Sequence, residues 1–355
     1  MRSFQDSMAS FEERLKSFLR NELAVEDLDT KHAKMKSSAF VFLRGTCWRW
    51  AETAAELLPY LAGAPKVLSP GDAHIENFGL WRDAEGRLVW GVNDFDEAAS
   101  IPYPFDLVRL GTSALLADAA TGFRPRAIAR ALLKGYCAGL ANPHPIILED
   151  SQLWLRDLFA ATRAERSEFW DDLQALKEKK PPRRYVLALQ AALPKTDRED
   201  VTLLRRRAGV GSLGRPRFVA LGRWRGGPIA REAKALVPSC WLNTASVDRS
   251  GHALLRAARG RYRSPDPWLD AHNGVIVRRL APNSRKLEID KIGRLRTPVL
   301  AMMGFELANI HAGDANAARR IAADLDRRKP KWLATAIEDV AVATIRDWKA
   351  FKRSE

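Results

Sequence analysis

Residues 78–92, FGLWRDAEGRLVWGV, constrain this chain more than any other stretch. Two runs of aliphatics and tryptophan flank the turn-prone DAEG, a pattern that predicts a β-hairpin. A hairpin folds its ends back together, so whatever precedes Phe78 must meet whatever comes after Val92. Both neighbours are dense in oxygen-bearing side chains. SPGDAHIENFG at 69–79 sets an aspartate, a histidine, a glutamate and an asparagine between two glycines, and VNDFDEA at 92–98 adds Asp94 and Asp96. Asp and Asn also gather at turns because they tolerate turn geometry. Here, however, β-prone aliphatics flank the carboxylates, as in LVWGVNDFD, and a phenylalanine separates two of them.

Closure of the hairpin brings the Asp94 carboxylate back to the Asn77 amide, with Asp72 nearby. Hard oxygen ligands around an open point suit Mg²⁺, which keeps waters and takes its remaining ligands from phosphates. Asp72 is then left to accept a proton from an attacking hydroxyl.

A second motif lies far along the chain. AGVGSLGRPRFVALGRW holds Gly209, Gly211 and Gly214 in G-x-G-x-x-G spacing, with Ser212 between them. A dinucleotide site requires a helix directly after the third glycine. The run after Gly214 is strand-like instead, so the glycines belong at a hairpin tip, where backbone N–H groups can approach phosphate without obstruction from Cβ. The next strand-like run, GPIAREAKAL, offers Lys234 to such phosphates. Arg231 is the rival cation, and strand alternation puts the two on opposite faces.

The remaining chain fits a mixed α+β protein. Residues 1–66 read as helices around a short apolar SSAFVFLRG, 67–200 as the acidic loops and then helices, 201–290 as a β-rich unit and 291–355 as helices. KEKKPPRR near 180 reads as a solvated boundary. With 46% hydrophobic and 28% charged residues over 355 positions, the chain can bury a sizeable core. No stretch suits a membrane span, and the charged start MRSFQDSMASFEERLK lacks a secretory core, so a cytoplasmic protein is expected. Cys47, Cys137 and Cys240, odd in number and far apart, argue against a disulfide framework and against a zinc site. The net charge of +15 suits a polyphosphate ligand or a nucleic acid. The arginines are scattered with few aromatics between them, so nucleic acid is not the favoured partner.

GDAHIEN and then NDFDEA resemble the phosphotransferase pattern G-D-x-H-x-x-N then D-[FW]-[DE] of aminoglycoside and choline kinases, relatives of the protein kinases. That resemblance implies Asp72 as catalytic base, Asn77 and Asp94 as metal ligands, and Asp96 as support for the metal or ligand of a second one. It implies that His74 orients the loop and that Asp106, in PYPFDLVRL, holds loop backbone N–H groups from below. One departure is Pro70-Gly71, where such kinases place a histidine or arginine setting.

The glycine hairpin and Lys234 likewise resemble the ATP-covering loop and the V-A-I-K lysine of kinases. No glutamate lies between Lys234 and Glu288 to serve as the usual partner, only Asp248, Asp266 and Asp270. The order is also reversed, with the catalytic loop ahead of the glycine loop. MMGFELANIHAGD resembles the helix that normally runs into the catalytic loop, and implies a circular permutation whose old termini are joined through the helices near 110–200.

This order, with FVFLRG upstream and VIVRRLAPNSRKLE downstream, also resembles a bacterial family known as domain of unknown function 2252. Arg44 and Lys286 match positions suited to phosphate or substrate contact, or to structural roles. The resemblances together imply a two-lobed, circularly permuted kinase-like fold using ATP and Mg²⁺ on an acceptor hydroxyl, with the insert at 115–200 reading the acceptor. A nucleotidyl transferase or nucleotide-binding pseudokinase on the same fold, and a basic nucleic-acid-binding protein, are the rival readings.

Overall fold

The hairpin forms as the sequence predicts. In the computed structural model, which describes residues 2–117, 123–149, 151–196, 201–242, 251–284 and 296–353, β1 (Lys66–Ser69) leads to β2 (Phe78–Arg82) and β3 (Leu88–Val92). β2 and β3 pair antiparallel, with Phe78 opposite Val92 and Arg82 opposite Leu88. Asp83 shapes the turn: its Oδ1 accepts from the backbone N–H groups of Glu85 at 3.1 Å and Arg87 at 2.9 Å. β1 pairs with β4 (Ala99–Pro102), so the chain enters the first acidic loop and leaves the second along one two-stranded ribbon. A two-residue strand absent from the sequence expectation, β5 (Ile146–Ile147), lies on the far side of β3.

Beneath the ribbons are the helices Pro104–Ala117, Pro125–Ala141, Arg296–His311 and Trp332–Arg353. Glycine sets the closest of these approaches. A Cβ on Gly135 would stand 1.7 Å from the Ala301 carbonyl oxygen, and one on Gly304 would stand 2.2 Å from that of Leu132. The helices Pro125–Ala141 and Arg296–His311 therefore meet backbone to backbone, and larger residues would drive them apart.

The β-rich unit is a five-stranded antiparallel sheet. Its strands β6 (Thr202–Arg205), β7 (Arg217–Trp224), β8 (Gly227–Ala235), β9 (Asp270–His272) and β10 (Val275–Leu280) lie in the order β6-β7-β8-β10-β9. Alternation gives it two unlike faces. Phe218, Ala220, Ala233, Ala235, Val275 and Val277 bury one face against Tyr185, Leu189 and Leu193 and against Leu15, Leu19 and Leu28 of the N-terminal helices. The other face carries charge: Arg217 lies opposite Lys234, and Glu232 opposite Arg278.

One element packs differently from the sequence reading. The helix Arg183–Ala192, which pattern assigns to the part ending at 200, covers the apolar face of the five-stranded sheet. The stretch at 177–180 leads into that sheet, with the Lys179 N–H donating to the Leu203 carbonyl and the Arg205 N–H to that of Lys177. The short apolar SSAFVFLRG is a helix, Ala39–Gly45, whose N-terminus Ser38 caps by accepting from the Val41 N–H at 3.2 Å. The whole is a mixed α+β protein with antiparallel sheets, and no described helix is long and apolar enough to cross a membrane.

Candidate functional site

The loop after β1 turns at Gly71, which has φ of +77°. A Cβ there would stand 2.0 Å from the Glu97 carbonyl oxygen. The Pro70-Gly71 departure thus has a steric cause: the two acidic loops approach so closely that only glycine fits.

Asp72 comes next, and Arg109 of the helix Pro104–Ala117 fixes it. The guanidinium Nε lies 2.6 Å and Nη2 2.5 Å from the same carboxylate oxygen, Oδ1. Arg109 also donates to the Leu43 carbonyl at 3.0 Å. Burial pushes the Asp72 carboxyl above the usual aspartate range, against the opposing pull of Arg109.

Asn77 joins the two loops. Its Nδ2 donates to the Asp72 carbonyl at 3.1 Å and to the Asp94 carbonyl at 3.0 Å, and its own backbone carbonyl accepts from the Asn93 N–H at 2.9 Å. The hairpin thus brings Asp94 to Asn77, with the contact made through the Asp94 backbone carbonyl. The buried Asn77 Oδ1 has no hydrogen-bond partner among the described residues.

Phe95 anchors the second loop. It lies beneath the Arg263 guanidinium at 4.8 Å, with Trp81 on the same cation at 5.1 Å. Arg263 is paired with Glu306 and donates to the Val92 carbonyl at 2.9 Å. The aspartates on either side meet the five-stranded sheet. Lys234 Nζ lies 2.5 Å from Asp96 and 3.6 Å from Asp94, and Arg215 adds a second cation to Asp96 at 3.0 Å. The lysine thus finds its partners in NDFD. Asp266 and Asp270 pair instead with Arg279 and Arg259, while Asp248, Lys286 and Glu288 lie outside the described residues. Arg231 is on the opposite face, its guanidinium over Trp268 at 4.2 Å and its Nε on the Ala192 carbonyl.

The glycines occupy the connection between β6 and β7. Gly209 has φ of +75° and precedes a single turn at Val210–Ser212. Ser212 Oγ accepts from Arg217 Nη2 at 2.8 Å. Gly211 sits over the Arg44 carbonyl, and Arg44 itself pairs with Glu76 at 2.6 Å. Gly214, with φ of +92°, packs on Leu28.

One open cavity of about 730 Å³ joins these groups. Asp72, His74, Asn77, Asp94 and Asp96 line it together with Gly209, Gly211, Ser212 and Arg44. Lys234 borders an adjoining cleft that shares Asp94, Asp96 and Arg278 with it. Gly214 and Asp106 line neither.

Asp106 departs from its expected role. It is fully buried with its Oδ2 3.0 Å from His311 Nε2, while His311 Nδ1 meets the Tyr136 hydroxyl at 2.8 Å. Ser113, on the same helix as Asp106, accepts the loop N–H of Ile75 at 3.0 Å. The aspartate therefore ties the helix Arg296–His311 to the helix Pro104–Ala117, and the serine supports the loop.

Sequence reasoning misses Arg109, Ser113, Arg215 and the cluster around Glu232. That carboxylate is 1% exposed and receives Arg206, Arg217 Nη1 at 2.6 Å and Arg278 Nε at 2.8 Å. Burial pushes its carboxyl up, but the three guanidiniums overcome this and hold it well below the usual glutamate range. The three cysteines are free, but two that are distant in sequence converge. Cys47 and Cys240 lie 3.5 Å apart at Sγ, beside Glu97.

No curated protein and no solved structure gives a significant match to this sequence. The family model described as an uncharacterized protein conserved in bacteria (DUF2252) matches residues 24–185 and 158–354. Those segments contain both acidic loops, the glycine connection and the strand of Lys234, so the chain that builds this cleft belongs to the bacterial DUF2252 family.

Proposed function

We propose that this chain is an ATP- and Mg²⁺-dependent phosphotransferase of circularly permuted, kinase-like fold that acts on a hydroxyl acceptor. The observation that carries this reading is the single cavity shared by Asp72, Asn77 and Asp94 with the glycine turn at 209–212. Three further features support it. The glycine turn joins the first two strands of the five-stranded sheet, and Lys234 lies on the third. Protein kinases place their phosphate-covering loop and phosphate-binding lysine on corresponding strands. The helix Arg296–His311 ends against β1, with Ser69 Oγ 3.3 Å from His311 Nε2, so the ends that a permutation would separate lie together. Finally, the buried Asn77 Oδ1, which has no hydrogen-bond partner among the described residues, is the kind of hard oxygen that a magnesium site requires.

In this reading Asp72 receives the proton of the acceptor hydroxyl on Oδ2, since Arg109 engages Oδ1. Burial keeps this carboxyl more basic than a solvated aspartate, which favours proton acceptance. Lys234 and the backbone N–H groups of the glycine turn hold phosphate oxygens, with Asp96 and Arg215 positioning the lysine. Asn77 Oδ1 and the Asp94 carboxylate would hold Mg²⁺, whose contribution there is to offset charge on the phosphates. The protein's remaining work is positioning and electrostatics in a fixed site.

Phosphorus NMR of the protein with Mg-ATP and a panel of hydroxyl compounds tests the proposal. ADP with phosphate on water or an added hydroxyl is the expected product. AMP with pyrophosphate would assign nucleotidyl transfer instead, and unchanged ATP in a protein that also fails to bind it would contradict the proposal.

A further inference from the structure

We propose that Cys47, Cys240 and Glu97 form a binding site for a thiophilic divalent cation, Zn²⁺ being the representative ion. Cys47 starts the helix Cys47–Leu57 and Cys240 lies beyond the end of β8, so 193 positions separate them, yet their Sγ atoms are 3.5 Å apart. Two thiolates on one tetrahedral zinc stand about 3.8 Å apart, given Zn–S bonds near 2.3 Å, whereas a disulfide requires about 2.0 Å. The observed spacing is close to the first value.

A third donor is already in place. The two sulfurs and a Glu97 carboxylate oxygen all lie within 4.8 Å of one another. Glu97 is held from outside this group, as ligating carboxylates commonly are. Arg215 donates to its Oε1 at 2.9 Å, and the Cys240 N–H to its Oε2 at 2.7 Å. Two thiolates and a carboxylate leave one negative charge on a bound dication, which Arg215 balances. The Gly71 carbonyl stands 3.5 Å from Cys47 Sγ and offers a fourth oxygen, though it also accepts from Trp241 Nε1 at 2.9 Å.

The ion would fasten together segments from four parts of the chain: the N-terminal helices, the turn ahead of Asp72, the end of NDFDE and the strand exit beyond Lys234. It is distinct from the oxygen-lined magnesium position and takes a softer metal. The proposal stands independently of phosphotransfer, because thiolate coordination is read without activity.

The test is Co²⁺ titration of the reduced, chelator-treated full chain, monitored by absorption. One equivalent should give thiolate-to-cobalt charge-transfer bands in the near ultraviolet, and Zn²⁺ should displace them. Zn²⁺ should also protect Cys240 from a disulfide reagent while the exposed Cys137 goes on reacting. Cys47→Ser and Cys240→Ser should each lose the bands, while Cys137→Ser keeps them, with circular dichroism checking the fold of each. Glu97→Gln, which preserves both sulfurs, should weaken zinc at least tenfold. The proposal is overturned by absence of the bands in the wild type, by bands that survive both serine variants, or by a Cys47–Cys240 disulfide in protein digested without reduction.

Discussion

Arg109 places two of its nitrogens, Nε and Nη2, on one oxygen of Asp72. The pair is a balance between burial, which raises the Asp72 carboxyl, and a guanidinium that lowers it. Replacing Arg109 by Gln removes the opposing charge while keeping most of the side-chain volume. The Asp72 pKa should rise further, so the base is protonated over more of the pH range. The acid limb of the rate profile for ATP turnover should move to higher pH, by about one unit or more. An unmoved limb with the fold intact would show that Asp72 is not the titrating base.

Lys234 and Arg231 share a strand but face opposite ways, and this geometry separates their roles. Lys234→Met should weaken Mg-ATP binding by about 10- to 100-fold, the usual range for losing a charge-assisted contact. Arg231→Met, on the face turned toward Trp268, should change it less than about threefold. Calorimetric titration of both variants decides the matter. The reverse ranking would make Arg231 the phosphate-binding cation.

Glu232 gathers three guanidiniums in a buried position, and its removal strands all three. Glu232→Gln should cost about 3 kcal/mol at neutral pH. The native carboxyl lies well below its ordinary value of 4.5, so its stabilisation is complete above that value and is lost as pH falls through the native one. The gap in urea midpoint between wild type and variant should therefore shrink in strong acid. A gap independent of pH would assign the loss to packing.

Lys31 is buried, with its ammonium 5.0 Å from the Phe11 ring centre. Burial first, and Arg215 second, depress its pKa from 10.5 to about 8. Below pH 8 the lysine is charged in both the folded and unfolded states, and the fold bears the full cost of the buried charge. Between about 8 and 10.5 only the unfolded state keeps the proton, so stability gains with rising pH. Lys31→Met should raise the Tm at pH 7, by an amount reflecting at most about 3 kcal/mol, and the advantage should fade toward pH 10. Destabilisation at pH 7 would mean that the ammonium makes a favourable contact.

What the sequence discloses is local. The hairpin at 78–92 and its consequence for Asn77 and Asp94 stem from alternation and a turn, as does the glycine connection ahead of a strand. The two faces of β8 stem from period two alone. What it conceals is convergence between distant segments. Asp72 and Arg109 are 37 positions apart, Arg215 and Glu97 118, and Cys47 and Cys240 193. No periodicity links such pairs, so Arg109 reads as one more arginine in a basic chain and the cysteines read as isolated. Asp106 eludes the sequence for a related reason. Its position at the start of a helix is legible, but its partner is His311, brought there by a helix from the far end of the chain. The helix Arg183–Ala192 reads with its neighbours in sequence, whereas its apolar stripe belongs to the sheet that comes after it.

On the proposed function, the acidic loops and the glycine turn form one magnesium–nucleotide site. Thermal unfolding of the wild type and Asp94→Ala, with and without Mg-ATP, tests it most directly. Nucleotide at about a hundred times its Kd should stabilise the wild type by about 2.7 kcal/mol. That gain should require Mg²⁺ and be lost in Asp94→Ala. Equal stabilisation of both proteins, or none in either, would contradict the account.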